Sequence, residues 1–169
     1  MVIVNSGWTI IDNVWLWRAD HDITGSVVNS NNPVDNGMII NGPNVIAYGL
    51  AAEHTLGNLV EWNGENGKTI FYQSEYPYDV NQENYGDKKF AAYKVADSVE
   101  THTGYGVGAY SYFRDNEVQM GSGIQAPKKA GVSFVNSLSV FLNGKGSIDH
   151  VIDDEGTEVR ATGQQAYVC

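Results

Sequence analysis

The sequence predicts an all-β chain wound as a single-stranded right-handed parallel β-helix. Its apolar segments are rich in Val, Ile, Tyr, Trp and Thr and alternate with other residues at period two, which is typical of strands. Asn-Gly steps, such as those that begin at Asn63 and Asn66, supply turns between these segments. Two similar segments carry Glu53 and Glu75, and their spacing of 22 residues is close to the length of one coil.

Length and composition indicate one domain spanning residues 1–169. The 20 Asp and Glu residues outnumber the 10 Lys and Arg residues, and the formal net charge of -10 opposes nucleic-acid binding, because phosphate contacts need clustered cations. No apolar run approaches the roughly 20 residues that cross a bilayer, so we expect no membrane partner. The single cysteine, Cys169, can form neither an internal disulfide nor a cysteine-based metal site. We predict no cofactor and no bound metal.

Residues 8–20 are expected to form one or two strands with two tryptophans on the same face. Asp20 ends this segment. We expect its carboxylate to line the same groove as the two glutamates or to hold Arg18, and a turn capped by this carboxylate is the alternative. A metal cluster of the acidic and imidazole groups around Asp20 and His54 is disfavoured, because adjacent residues of a strand point to opposite faces.

The connections and later coils follow from the same pattern. Residues 23–44 form a predicted polar connection around a short strand at residues 38–40. Further coils are expected over residues 90–113. Two more strands about an Asn-Gly turn are predicted within residues 131–152, and residues 153–165 are a polar end.

The two glutamates are predicted to point the same way, on an odd-numbered face shared with Ala47. Aligning Val45 with Thr69 places Glu53 two residues further along its strand than Glu75. With about 4.8 Å between coils and roughly 3.3 Å per residue, the two anchor points would lie about 8 Å apart. Inverting glycosidases separate their carboxyl groups by roughly 6.5–9.5 Å and retaining ones by about 5 Å, so this spacing fits inversion.

The protonation of the pair is predicted to be unequal. Two carboxylates in a partly dry cleft cannot both ionise easily. Glu75 has aromatic and proline neighbours and is expected to keep its proton, whereas Glu53 is expected to lie in a more open setting and to stay charged. In this interpretation Glu75 acts as a general acid and Glu53 helps to activate a water molecule.

Four strings, in this order, resemble the second half of glycoside hydrolase family 55, the β-1,3-glucanases: WLWRADHD from Trp15 to Asp22, GLAAEH, YQSEYPYD, and GAYSYF from Gly108 to Phe113. The resemblance covers roughly residues 8–113. It implies a pectate-lyase-like fold in which two right-handed β-helices lie side by side with the active site between them, and an inverting mechanism. By position, Glu75 then matches the general acid, and Glu53 matches a carboxylate that helps to orient the attacking water.

The resemblance also implies that this chain is part of a larger site. Enzymes of the family are several times longer, and other residues that hold the nucleophilic water come from a first β-helix that 169 residues do not include. The expected partners are a β-glucan polysaccharide or oligosaccharide and either a missing N-terminal β-helix half or a second copy. The family location is extracellular, although the first residues lack the pattern of a signal peptide.

Aromatic and polar side chains near the glutamates are predicted to bind substrate, because a flat ring meets the C–H face of a sugar while polar groups bind its hydroxyls. The predicted substrate-binding residues are Asp20, Trp62, Gln73, Tyr76 and Tyr78. For the aromatic residues, core packing is the competing interpretation.

Two other functions stay open. One is a non-catalytic β-helix that binds a polysaccharide or belongs to a cell-surface assembly. The other is a polysaccharide lyase, which is disfavoured because only Arg18 and Lys68 lie near the pair.

Overall fold

The computed structural model describes residues 1–22 and 31–169, and these residues form strands joined by turns. The strands of this part are β1 (Val2–Val4), β2 (Ile10–Asp12), β3 (Trp15–Trp17), β4 (Met38–Ile40), β5 (Ile46–Glu53), β6 (Val60–Trp62), β7 (Gly67–Glu75), β8 (Tyr93–Val95), β9 (Thr101–Met120), β10 (Ile124–Gln125), β11 (Gly131–Val135), β12 (Ser137–Ile148) and β13 (Gln164–Val168). One 3₁₀ turn spans Gly86–Lys88. Within the described ranges, no helix has the length and apolar character needed to cross a membrane.

The strands form two parallel sheets that wind into a β-helix. The smaller sheet has the order β1-β4-β6-β8-β10, and the larger sheet has the order β13-β12-β9-β7-β5-β2. Strand β3 also pairs with β5, and β11 also pairs with β9. Neighbouring strands run parallel, except that β13 runs antiparallel to β12. The predicted parallel β-helix is therefore confirmed, and the predicted connection over residues 23–44 falls in part on residues 23–30, outside the described residues.

The hydrophobic core lies between the two sheets, where aligned residues of successive coils stack. Leu50, Tyr72 and Val107 occupy paired positions of β5, β7 and β9 and are fully buried. Trp62 comes from the smaller sheet and is also fully buried, with its ring 6.2 Å from that of Tyr93. The prediction that Trp62 binds substrate is therefore wrong, because its side chain points inward from β6 and packs in the core.

A column of left-handed residues bends each coil of the larger sheet. The residues of this column are Asn13, Gly49, Phe71, Gly106 and Asn136, with φ angles of 51°, 60°, 62°, 61° and 55°. Each bend shifts the alternation by one residue, so Ala47 points into the core before the bend, whereas Glu53 points outward after it. The predicted odd-numbered face is therefore interrupted, because a left-handed residue turns the chain where a regular strand would continue.

The pairing of β5 with β7 differs from the predicted alignment. Ile46 pairs with Lys68, and Glu53 pairs directly with Glu75. The predicted separation of about 8 Å between the anchor points is therefore wrong, and the spacing of adjacent strands, about 4.8 Å, applies instead. The physical reason is the bend: this register stacks the left-handed residues of the two strands on each other, and the predicted one does not.

Asparagine side chains stack at the turns between coils. The amide of Asn41 donates to the carbonyl oxygen of Asn5 at 2.8 Å, and the amide of Asn63 donates to Asn41 at 2.9 Å. At a second corner the amide of Asn66 donates to Asn44 at 3.1 Å. The first of these asparagine ladders joins three successive coils, and the second joins two; both lie outside the core. They are separate from the backbone hydrogen bonds of the sheets.

The last part of the chain departs from the expected hairpin. Strand β12 continues through the Asn-Gly step at Asn143, where its pairing with β9 shifts register between Phe141 and Asn143 and again between Gly144 and Gly146. The step is thus an irregularity within one strand, of the kind that a β-bulge produces, and the predicted turn between two strands is wrong. Strand β13 follows the predicted polar end.

Candidate active site

The two glutamates end strands β5 and β7 on the outer face of the larger sheet. In register, four side chains form one column across successive coils: Trp17, Glu53, Glu75 and Tyr110. The side chains of Glu53 and Glu75 are 12% and 22% exposed, respectively. The structure therefore brings the predicted catalytic pair together and leaves both carboxylates in reach of the surface.

Glu53 is the more enclosed member of the pair. The indole Nε1 of Trp15 donates a hydrogen bond to its Oε2 at 2.9 Å, and the side chain of Gln73 also bonds to it. Burial raises the pKa of Glu53, the Trp15 hydrogen bond opposes this shift, and the charge of Glu75 adds to it. The expectation that Glu53 lies in the more open setting is wrong, because Trp15 and Gln73 cover it.

Tyr78 bonds to the second glutamate. Its hydroxyl donates to Oε2 of Glu75, and its ring is half-buried. Burial raises the pKa of Tyr78, and the hydrogen bond to the Glu75 carboxylate raises it further. The ring stacks on His21 with centroids 5.0 Å apart, and the guanidinium of Arg114 lies 5.9 Å from its centroid on one face. Tyr78 thus lies in the site, as does Gln73.

Asp20 lies beneath the surface of the site and is fully buried. Its Oδ2 accepts from the backbone N–H of Tyr78 at 2.9 Å and lies 2.9 Å from Nδ1 of His54, and its Oδ1 lies 2.5 Å from Nδ1 of His21. Burial raises the pKa of Asp20, but the hydrogen bonds and the charge of His54 outweigh it and lower this pKa to about 2. The prediction that Asp20 binds substrate is therefore wrong, because its carboxylate has no exposed surface.

The alternative expectation for Asp20, that it holds Arg18, agrees with the structure. The NH2 group of Arg18 lies 3.7 Å from Oδ2 of Asp20 and also pairs with the buried Asp79. The Nε of Arg18 donates to the backbone carbonyl of His54. Arg18 is itself buried, so these contacts satisfy its charge and fix the floor of the site.

Tyr76 belongs to the core rather than to the site. It is fully buried, its hydroxyl donates to the carbonyl of Ser122 at 3.2 Å, and the same oxygen accepts from the N–H of Ala92 at 3.1 Å. Its ring stacks on Phe113 at 6.0 Å. The prediction that Tyr76 binds substrate is therefore wrong, because the alternation after Glu75 turns this side chain inward.

Three residues of the site were not predicted from the sequence. Trp15 and Trp17 stack with ring centroids 6.2 Å apart and are 65% and 41% exposed, and His54 lies beneath the glutamates. The signal for the tryptophans was present, since two large apolar residues on one outward strand face are a sign of a binding surface. No comparable signal marked His54. In residues 1–22 and 31–169, no group of three or more His, Cys, Asp and Glu side chains is arranged to hold a metal ion.

A parallel β-helix with paired carboxylates and exposed aromatic rings on one outer face resembles the class of β-helix proteins that act on carbohydrates. The comparisons with known proteins agree with this class. Residues 1–75 match the family model of the LAM55 pectate lyase-like domain. The chain is 50% identical over 161 residues to an exo-beta-1,3-glucanase of Streptomyces sp. (strain SirexAA-E / ActE). The matched region covers 92% of this chain and 26% of that protein.

Solved structures give the same relationship. The structure of sacteLam55A from Streptomyces sp. SirexAA-E is 48% identical and superposes with a TM-score of 0.92, over 98% of this chain and 31% of that one. A glutamate-to-alanine variant of sacteLam55A in complex with glucose gives 47% identity with the same TM-score and coverage. The resemblance to the family 55 β-1,3-glucanases is thus confirmed. The chain spans between 26% and 31% of the length of these relatives.

Proposed function

We propose that this chain carries the carboxylate pair of a glycoside hydrolase that cleaves β-1,3-glucan polysaccharides or oligosaccharides. The observation that carries the proposal is the direct pairing of Glu53 with Glu75 on an outer face, in a chain 50% identical to an exo-beta-1,3-glucanase. Exposed Trp15 and Trp17 beside the pair offer the flat apolar surfaces that sugar rings require. Extracellular action stays a prediction from the family resemblance.

In the proposed mechanism Glu75 protonates the departing glycosidic oxygen, and Glu53 helps to orient the attacking water. Two observations support these roles. Each glutamate matches the corresponding family position, and the side chain of Glu75 is the more exposed of the two, so it is better placed to reach a substrate oxygen. The hydroxyl of Tyr78 orients the Glu75 carboxylate through its hydrogen bond.

The raised pKa of Glu53 supports the opposite assignment, with Glu53 as the acid, because burial makes this carboxyl hold its proton to higher pH than usual. The assignment of Glu75 as the acid and the assignment of Glu53 as the acid predict different effects of the leaving group on the activity of each variant. A general acid is dispensable when the leaving group departs without protonation, whereas the group that activates water is needed for every substrate.

The experiment uses Glu75→Gln and Glu53→Gln in the full-length protein with two substrates, laminarin and a dinitrophenyl β-glucoside. We expect Glu75→Gln to lose at least 100-fold in kcat/KM on laminarin (on the order of 10²–10⁴ for a general acid) while keeping most activity on the activated glucoside. Glu53→Gln should lose activity on both. Retained laminarin hydrolysis by Glu75→Gln would overturn the role of this residue, and the reverse pattern would exchange the two roles.

The anomer released by hydrolysis of the same substrates shows whether the enzyme inverts or retains configuration. Inversion is proposed from the family resemblance alone, since the direct pairing of Glu53 with Glu75 removes the spacing argument for it. Proton NMR during the first minutes of hydrolysis should show α-glucose as the first anomer released from a β-linked substrate. First appearance of the β-anomer would identify a retaining enzyme.

The proposed partner is the remainder of a longer chain of this family, which would cover an exposed apolar face. The large apolar side chains that such a cover would bury include Trp8, Ile10 and Phe71, which are 84%, 69% and 63% exposed. A large exposed apolar patch on a folded domain marks an interaction surface. The relatives have the additional length that such a cover needs, because this chain matches one of them over 98% of its own residues but 31% of theirs.

A further inference from the structure

A buried imidazole lies between Asp20 and both glutamates. His54 is 2% exposed. Its Nδ1 lies 2.9 Å from Oδ2 of Asp20, and its Nε2 lies 4.0 Å from Oε2 of Glu53 and 3.8 Å from Oε2 of Glu75. One ring nitrogen thus faces an inner carboxylate, and the other faces the two carboxylates of the proposed catalytic pair.

The contacts of Asp20 decide which nitrogen of His54 carries a proton. An ionised carboxylate accepts hydrogen bonds and cannot donate them, and the pKa of Asp20 is lowered to about 2. The 2.9 Å approach of Nδ1 of His54 to this carboxylate oxygen favours a proton on Nδ1. A second proton on Nε2 makes the ring an imidazolium that faces Glu53 and Glu75.

Three aromatic side chains surround the imidazole ring. The Tyr78 ring meets the imidazole edge-on at 4.4 Å, and the rings of Trp17 and His21 lie 6.5 Å and 5.6 Å away. The backbone of His54 has a φ of 64°, in the left-handed region, which histidine adopts more readily than most residues other than glycine.

The arginines near the ring are paired with carboxylates other than the two glutamates. Arg18 and Asp20 pack from the segment that follows β3, and Arg18 already pairs with the buried Asp79. Arg114 approaches Tyr78 but pairs with Asp115 at 2.7 Å. Other titratable groups of the described residues that face His54 include His21, Glu53, Glu75 and Tyr78. Both arginines are thus matched by other carboxylates, whereas the imidazolium of His54 faces the pair.

We propose that His54 is a positioning residue whose imidazolium, oriented by Asp20, stabilises the first negative charge on the Glu53–Glu75 pair so that the pair holds one proton. The inference rests on the proposed function, because a pair with one proton has both the acid and the carboxylate that hydrolysis of a glycoside needs. Without the imidazolium, two directly paired carboxylates retain both protons to higher pH.

The test is a carboxyl-carbon NMR titration of the chain labelled at glutamate Cδ. His54→Asn removes the imidazole but suits the left-handed backbone, which Asn adopts readily. We expect the first titration midpoint of the pair to rise by at least one pH unit in His54→Asn and in His54→Gln. The matched control is His150→Gln, a partly buried histidine whose Nδ1 lies 3.2 Å from the carbonyl of Gly156. This control should leave the midpoint unchanged.

Circular dichroism and the backbone NMR spectrum establish that each variant is folded. An unchanged midpoint in a folded His54 variant would overturn the proposal. In the full-length protein, the acid limb of the kcat/KM profile on laminarin should move by the same amount in His54→Asn. The NMR titration needs no turnover, so it can fail while Glu75→Gln still abolishes hydrolysis, and it can succeed while the hydrolase assignment fails.

Discussion

Phe71 has a left-handed backbone conformation, as do the other residues of its column. Asn and Gly fill the equivalent positions in the other four coils, and these are the residues that adopt positive φ at the least cost. A phenylalanine with φ of 62° is strained, and its ring is mostly exposed, so little burial offsets the strain.

Exchanging residues within this column should therefore change stability in opposite directions. Phe71→Gly is expected to raise the free energy of unfolding by about 1 kcal/mol, because glycine relieves the left-handed strain. Gly106→Ala is the matched variant: its added Cβ meets no atom within 4 Å, yet φ is 61°, so we expect a loss of about 1 kcal/mol from conformation alone. Urea unfolding at constant m-value measures both. Changes of the same sign would contradict this account.

The asparagine ladders show how successive coils are joined outside the sheets. Asn41 is the middle member of its ladder and both donates and accepts, whereas Asn63 only donates along it. The residues are exposed, so each bond contributes about 1 kcal/mol or less.

We accordingly expect Asn41→Ala to lower the free energy of unfolding by about twice as much as Asn63→Ala, with losses on the order of 1–2 and 0.5–1 kcal/mol. Asn143→Ala is a control outside both ladders, at a side chain that accepts one hydrogen bond from the Thr162 hydroxyl at 3.1 Å. Equal losses at all three positions would show that the middle place in the ladder adds nothing beyond the loss of one side-chain hydrogen bond. Thermal and urea unfolding provide the values.

The sequence was sufficient for the strands and for their parallel winding, because the period-two pattern is a local property of each segment. It was not sufficient for register. Gly49 suggests a bend, but no propensity predicts a left-handed Phe71, and without that bend the alignment of β5 with β7 is displaced by two residues. The change of alternation at these bends also decides that Ala47 and Glu53 point to opposite sides of the same strand.

At the site, the sequence predicted Glu53, Glu75, Gln73 and Tyr78 because carboxylates and aromatic rings near one another in the chain indicate carbohydrate chemistry, and the structure places these four side chains together. It misassigned Asp20, since its burial depends on Arg18 and His54, which come together only in three dimensions. Trp62 and Tyr76 were misassigned for a simpler reason. Ring residues suit both a sugar surface and a core, and only the side of the sheet they point to distinguishes the two.

For the whole molecule, the exposed apolar face predicts self-association when its proposed cover is absent. We expect the weight-average sedimentation coefficient of the isolated chain to rise with concentration, and the double variant Trp8→Ser, Ile10→Ser to suppress this rise. Tyr167→Ser, at a tyrosine that is 56% exposed on β13, is the control. Suppression by the control variant to the same extent would mean that general hydrophobicity, rather than this face, drives association.

Strand β13 reverses the strand direction of the larger sheet. In the described part of the chain β13 is the outermost strand of the larger sheet beside β12, and it runs against the direction of every coil before it. Another molecule that arrived there could not extend the parallel ladder in register. Within the described residues, this reversed strand interrupts the parallel ladder on the β12 side, and an uninterrupted stack of parallel strands is what template-driven fibre growth requires.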